Sequence, residues 1–223
     1  MIVIVLIFLC AGRSYAESYG QTPYPEKSRV IIKQVEGMNV AGSLTVTNPG
    51  SRPWLMQTWL EDENGVRAGH VYPELSRLEA DFSRRLLITP SQYQWRERKE
   101  SLNWLVIKLI PSTVSGSHNK LIIPVVLRLK VFLRSRTTGA EQEKPLLSCA
   151  LTPGGRLMLH NRGQHYVTLT EIKGKQVQKT KESALMIAPG TTLSVGYEMT
   201  AGLYEYSYVD DRGIIACGKV ICR

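Results

Sequence analysis

The sequence contains no Gly-rich phosphate loop, no G-x-S-x-G elbow and no H-E-x-x-H pair, which removes the usual local signatures of nucleotide, acyl-transfer and zinc-peptidase chemistry. Histidine is scarce. His70, His118, His160 and His165 are dispersed, and the last two, five apart across a loop, make a weak metal spacing. Neither catalysis nor a metal or other cofactor is expected. Zinc-finger spacing, a helix-turn-helix pattern and an aromatic sheet motif are also missing. The 28 Lys and Arg against 19 acids, a formal charge of +9, are scattered and not gathered into a stripe. They read as solvated faces, and no nucleic-acid partner is expected. After residues 2–9 no apolar stretch approaches the ~20 residues that a membrane span requires.

Those first residues, IVIVLIFL, lead through Ala11, Gly12 and Arg13 to Ser14-Tyr15-Ala16, a small-x-small cleavage pattern. Residues 1–16 are expected to be a secretory signal, although positive residues before the apolar run are missing. Removing them leaves about 207 residues, no membrane insertion and an exported protein. Cys10 is not expected to carry a lipid, because bulky Leu9 stands before it. Of the remaining cysteines, Cys217 and Cys222 lie five apart near the C-terminus. In an oxidising compartment a local disulfide between them is expected. Cys149, among Leu146, Leu147 and Leu151, reads as a small buried core thiol.

The positive signals are strands and turns. Leu44 and Val46 run into Asn48-Pro49-Gly50, and Trp54 to Leu60 makes the next strand. Asn64-Gly65 is a hairpin signal, since a primed turn needs positive φ. Arg85–Thr89 and Leu102–Ile110 continue the series, with no convincing amphipathic helix between strands. Residues 135–145, SRTTGAEQEKP, lack a large apolar side chain and read as a linker. Beyond it the same grammar recurs in Arg156–His160, Tyr166–Ile172, Leu185–Ala188, Thr192–Val195 and Tyr204–Val209. The fold expected is all-β, two sandwiches, with an N-terminal domain over 17–134 and a C-terminal domain over 146–223.

Residues 121–134, LIIPVVLRLKVFLR, carry the longest period-2 pattern: every odd position is apolar, while Pro124, Arg128, Lys130 and Arg134 share the other parity. Pro124 lacks an N–H, which favours a sheet edge, or else the frayed start of a core strand. An aliphatic edge is an aggregation hazard unless it has a partner.

Several short motifs then occur in one order: Ser28-Arg29-Val30-Ile31, Leu44-Thr45-Val46-Thr47-Asn48, Gln57-Thr58-Trp59, Lys99-Glu100-Ser101-Leu102-Asn103-Trp104 ending in Ile110-Pro111, and Leu129-Lys130-Val131-Phe132-Leu133-Arg134. In this the chain resembles the periplasmic pilus-assembly chaperones of the chaperone-usher pathway, over nearly all of its mature length. The resemblance implies two immunoglobulin-like sandwiches set as an L or boomerang, location in the periplasm, and pilin subunits and an outer-membrane usher as partners. Arg29 and Lys130 fall where the family places two cations that anchor a subunit's C-terminal carboxylate. Leu121, Ile123 and Val125 match the alternating side chains that fill the groove of a subunit lacking a strand, the mode known as donor-strand complementation. On that assignment Ile122, Pro124 and Val126 face the chaperone's own sandwich. Burial of the three donor side chains amounts to roughly 5 to 9 kcal/mol gross, at about 1.5 to 3 each.

The family's interdomain ion network maps onto Glu100, Arg134 and Asp211, and its C-terminal cysteine pair onto Cys217 and Cys222. The connection of residues 112–120 is short, with no bracketing cysteines, like the short-loop class of these chaperones. Two turns depart from the family: Tyr72-Pro73-Glu74 replaces Thr-Pro-Pro, and 161–166, NRGQHY, replaces Asn-Pro-Thr-Pro-Tyr. Tyr93 and Trp95 sit in a polar, aromatic loop with surface or partner-facing character. The rival reading from another class is a secreted immunoglobulin-like structural or adhesive protein that self-associates through the same edge strand.

Overall fold

Alternation decides the architecture. In the computed structural model, which describes residues 22–34, 40–112, 122–138, 144–174, 185–195 and 200–223, the period-2 segments are strands with one buried and one open face. The predicted signal, Leu121 and His118 lie outside the described residues.

The N-terminal half holds nine strands: β1 (Tyr24–Pro25), β2 (Arg29–Lys33), β3 (Gly42–Asn48), β4 (Trp54–Glu61), β5 (Arg67–Tyr72), β6 (Leu75–Leu78), β7 (Phe82–Pro90), β8 (Ser101–Pro111) and β9 (Val125–Arg134). They join in the order β1-β3-β7-β5-β4-β8-β9-β2, with β6 on the outer side of β4. This hydrogen-bonded path folds over on itself. Leu44 and Val46 of β3, Leu86 and Ile88 of β7, Met56 and Leu60 of β4, and Leu105, Ile107 and Leu109 of β8 share one buried core. β2, at one end of the path, meets β3, next to the other end, at Gly42, where an added Cβ would lie 2.7 Å from the Ile32 side chain. Gly65, at φ 81°, supplies the positive φ of the β4–β5 turn expected from Asn64-Gly65.

The second half holds β10 (Leu147–Leu151), β11 (Leu157–Asn161), β12 (Val167–Gly174), β13 (Leu185–Ile187), β14 (Thr192–Val195), β15 (Gly202–Val209) and β16 (Ile215–Cys222), ordered β13-β12-β15-β16-β10-β11-β14. Its core gathers Leu157, Leu159, Val167, Leu169, Ile172, Val195, Tyr204, Tyr206 and Tyr208. The all-β, two-sandwich reading describes the molecule. Each half turns a corner on a fully buried Asn followed two residues later by Gly. Asn48 Oδ1 accepts from the Gly50 N–H at 3.1 Å, and Asn161 Oδ1 accepts from the Gly163 N–H at 3.0 Å. Asn161 Nδ2 also donates to the His165 and Ile187 carbonyls, which fixes the approach to Tyr166. The replaced turn at 161–166 therefore keeps its leading Asn in a structural role.

The cysteine expectation is overturned. Cys149 bonds Cys222, and Cys217 is free and exposed. Cys217 and Cys222 share strand β16, five positions apart, an odd separation that puts their side chains on opposite faces about 16 Å from each other along the strand. Cys149 and Cys222 instead are direct partners on neighbouring parallel strands, with Cα atoms 4.6 Å apart, inside the usual disulfide range. Cys149 is thus a cross-linking residue and not a core thiol.

Candidate binding cleft and donor edge

Strand β9 changes character along its length. Its first half, Val125 to Leu129, pairs only with β8 among the described residues, while Lys130 to Arg134 lie between β8 and β2. The strand is therefore an edge where it begins and a central strand where it ends, and Pro124 stands just before it. The odd residues trace this transition. Val131 and Leu133 are fully buried and Leu129 nearly so; Leu127 and Val125 only partly cover the core, and Ile123 is 63% exposed. An aliphatic stripe runs out of the sandwich core into solvent. The facing expected for the other parity is corrected: Ile122 and Val126 are 45% and 53% exposed, and the odd side chains are the ones on the core side.

Because β2 and β9 are parallel with Arg29 opposite Lys130, two cations stand side by side at the junction of the sandwiches. Like charges so placed repel. Arg29 is 8% exposed; its guanidinium lies 5.6 Å from the centre of the Phe132 ring, and Nη1 donates to the Val209 carbonyl at 3.2 Å. Its Nε is buried without a partner. Lys130 Nζ donates to Thr168 Oγ1 at 3.2 Å. Among the described residues neither cation has a carboxylate within ion-pair distance. Burial and then the neighbouring Arg29 pull the Lys130 ammonium down to about 8. Burial also lowers the Arg29 pKa, against the pull of the more distant Asp211, Glu100 and Asp210. The pair is a desolvated, unneutralised positive site, suited to an oxyanion that presents two acceptor atoms.

The sandwiches are held together beside it. Arg134 Nε donates to Glu100 Oε1 at 2.7 Å, and its two terminal nitrogens grip Asp211 at 2.6 and 2.7 Å. The other Glu100 oxygen accepts from the Tyr166 N–H at 2.7 Å. The three residues singled out from the sequence as an ion network thus meet, with Glu100 and Arg134 at 1% and 2% exposure. Burial pushes the Glu100 carboxyl up, opposed by Arg134 and the Tyr166 N–H. Leu102 and Phe132 of the first sandwich pack on Tyr166 of the second, with Ile31, Trp104, Met186 and Ala188 around them.

Four contributors were not visible from the sequence. Thr168 and the Val209 carbonyl hold the cations; Phe132 lies under Arg29; and Tyr166, whose hydroxyl donates to Glu63 at 2.9 Å, backs Phe132 with ring centres 5.8 Å apart. A further row lies on the same face of the sheet: Arg128 pairs with Glu61 at 3.1 Å and stacks on Trp104 at 4.9 Å. Tyr93 is 84% exposed, while Trp95 packs against the first core. Trp95 is therefore partly buried and has a packing role.

Two sandwiches, a paired-cation cleft at their junction and, among the described residues, an open strand edge leading to it make up the candidate site. The sequence comparisons give the family. Pili and flagellar-assembly chaperone, PapD N-terminal domain, matches residues 24–138, and the PapD C-terminal domain matches residues 142–218. The chain belongs to this family of pilus-assembly chaperones, a family of chaperones and not of enzymes. It is 28% identical over 222 residues to the chaperone protein FocC of Escherichia coli, spanning 94% of this chain and 92% of that one. It is 34% identical over 133 residues to protein FasE of Escherichia coli, 59% of this chain and 97% of that one. Among solved structures it resembles the E. coli chaperone DraB, with a TM-score of 0.76 and 22% identity over 91% of this chain and 96% of that one. The chaperone SafB, solved in complex with the SafA pilin of Salmonella enterica, gives a TM-score of 0.76 at 20% identity, covering 90% and 96%. The self-associating structural reading is not favoured by these relationships.

Proposed function

We propose that the protein works in the periplasm, where it binds pilin subunits, completes their fold by donating a strand, and passes them to an outer-membrane usher. The C-terminal carboxylate of a subunit docks on Arg29 and Lys130. The subunit's last strand then runs along the open edge of β9, and Ile123 and Val125, with Leu121 preceding them, fill its groove. The observation that carries this reading is the cation pair: two like charges, register partners on adjacent strands and, among the described residues, without a carboxylate partner, beside a strand whose outer edge is unpaired among those residues. The like-charge pair costs stability in the free protein, the open edge is an aggregation hazard, and one ligand relieves both. The SafB chaperone, whose fold this chain shares, is solved in complex with the SafA pilin, which supports a pilin as the partner. Glu100, Arg134 and Asp211 fix the angle between the sandwiches, so that edge and anchor face the same subunit.

The test is co-expression of the mature chain with pilin subunits in a periplasm, followed by pull-down and native mass measurement. A one-to-one complex is expected, lost in Arg29→Ala and in Lys130→Ala while both variants remain folded. A complex that survives both substitutions at full yield removes the anchor from the mechanism, and assembly of the chain with itself in place of a subunit removes the chaperone reading.

A further inference from the structure

Both anchor cations belong to the first sandwich, yet among the described residues the hydrogen bonds of their charged ends all come from the second. Lys130 Nζ reaches Thr168 Oγ1 on β12, and Arg29 Nη1 reaches the carbonyl of Val209 at the end of β15. We propose that the anchor is a two-domain site, in which Thr168 is the positioning residue that holds the Lys130 ammonium beside Arg29 and the Val209 carbonyl sets the plane of the guanidinium. The proposal rests on the carboxylate-anchor reading and specifies how the site is pre-organised.

A lysine ammonium ends a flexible four-carbon stem, and next to another cation it is driven outward toward water. Something must hold it in place. Neighbours on its own sheet do not: Arg29 on β2 repels it, and its register partner on β8 is the uncharged Trp104. Thr168 does. It is 3% exposed and pinned between β13, where Met186 is its register partner, and β15. Its β-branched side chain is stiff at χ1, so its hydroxyl oxygen is a fixed acceptor. One of three Lys130 N–H groups is thereby used, and two remain for a ligand. The carbonyl of Val209 occupies one terminal nitrogen of Arg29 in the same way. On the opposite edge Nε is buried and makes no hydrogen bond among the described residues, so one donor of the guanidinium is left unsatisfied in the free protein. Because the positioning atoms and the cations come from different sandwiches, the anchor takes this form only when the interdomain contacts through Arg134 and Tyr166 are in place.

The test separates this proposal from the reading beneath it. The probe is a synthetic ten-residue peptide of alternating apolar residues, used with a free C-terminal carboxylate and as its amide, against the full mature chain and its Thr168→Val and Thr168→Ser variants. The unaltered chain is expected to prefer the acid. Thr168→Val is expected to lose about tenfold of that preference, the effect of one hydrogen bond to a charged group, and Thr168→Ser to retain it. In parallel, NMR titration of Lys130 without peptide is expected to show a lower midpoint in Thr168→Val and an unchanged one in Thr168→Ser, since an acceptor favours the charged form. An unaltered chain that does not distinguish acid from amide defeats the anchor reading itself. A chain that distinguishes them equally well with Val at 168, with the Lys130 midpoint unmoved, overturns the role of Thr168 and leaves the anchor standing.

Discussion

Replacing the cysteines one at a time gives the sharpest check on the second sandwich. The Cys149–Cys222 bond closes 73 residues of chain. Loop-closure entropy at that length corresponds to about 4.4 kcal/mol at 25 °C, against about 2.1 kcal/mol for a bond between cysteines five apart. Cys149→Ala and Cys222→Ala should therefore each destabilise the second sandwich by roughly 3 to 5 kcal/mol, while Cys217→Ala, on an exposed face, should change it by less than about 0.5 kcal/mol. The readout must resolve the domains, because a single unfolding free energy is not defined for two of them. All four tryptophans, Trp54, Trp59, Trp95 and Trp104, lie in the first sandwich, so their fluorescence in urea should barely register the lesion. Hydrogen exchange at the amides of β10, β15 and β16 should register it in full. Peptide mapping of the oxidised protein should recover Cys149 joined to Cys222. If Cys217→Ala and Cys222→Ala were equally damaging and Cys149→Ala silent, the pairing across β10 and β16 would be refuted in favour of the local one.

Lys130, held near 8 where an ordinary lysine titrates at 10.5, makes binding and stability depend on pH. At pH 9 the free ammonium is mostly deprotonated, and a docked carboxylate restores its charge, so binding the free-acid peptide should take up close to one proton. Calorimetry in buffers of different ionisation enthalpy measures this; no uptake would place the carboxylate elsewhere. The folded-state value lies below the unfolded one, so the unfolded chain holds more protons between pH 8 and 10.5. Stability of the free protein should accordingly rise with pH across that window, relative to Lys130→Met. Arg134→Ala should destabilise by about 3 to 5 kcal/mol in urea, because it strands the buried Glu100 carboxylate; a loss below about 1 kcal/mol would show that the interdomain ion network does not hold the sandwiches.

How much was legible in the sequence follows from how local each feature is. Strands and turns were legible because alternation and Asn-Gly chemistry act over a few residues. The pairing of Arg29 with Lys130 was not, since the two are brought together by a parallel contact between distant segments; only the likeness to known chaperones marked them as partners. The disulfide was misread because distance along a chain is not distance along a strand, and an odd spacing within one strand separates side chains. The facing of Ile122 and Val126 was misread although the signal was present: Leu129, Val131 and Leu133 have odd parity, so the core side was already declared further along the strand. Thr168 and Tyr166 carry no local mark, and their roles exist only where one sandwich meets the other.

In the proposed mode of binding, the anchor and the edge stripe stand in a fixed relation that makes both necessary. Val125 and Lys130 are five residues apart on one strand, about 16 Å, and of opposite parity, so the stripe points to the core side while the ammonium points to the cleft. A strand added along the β9 edge by backbone hydrogen bonds alone has no preferred register, because each shift of one residue still satisfies the ladder. Such a shift turns every side chain of the added strand to the wrong face. A terminal carboxylate is unique on its chain, and tying it to Arg29 and Lys130 fixes where the added strand ends, and with it which subunit side chains lie level with Ile123 and Val125. Val125 is already partly buried in the free protein, so the apolar gain from the described part of the stripe comes chiefly from Ile123. That limits the affinity the described part of the edge can supply and leaves the cations to determine specificity, which is why removing either charge should abolish recognition while a conservative change in the stripe should only weaken it.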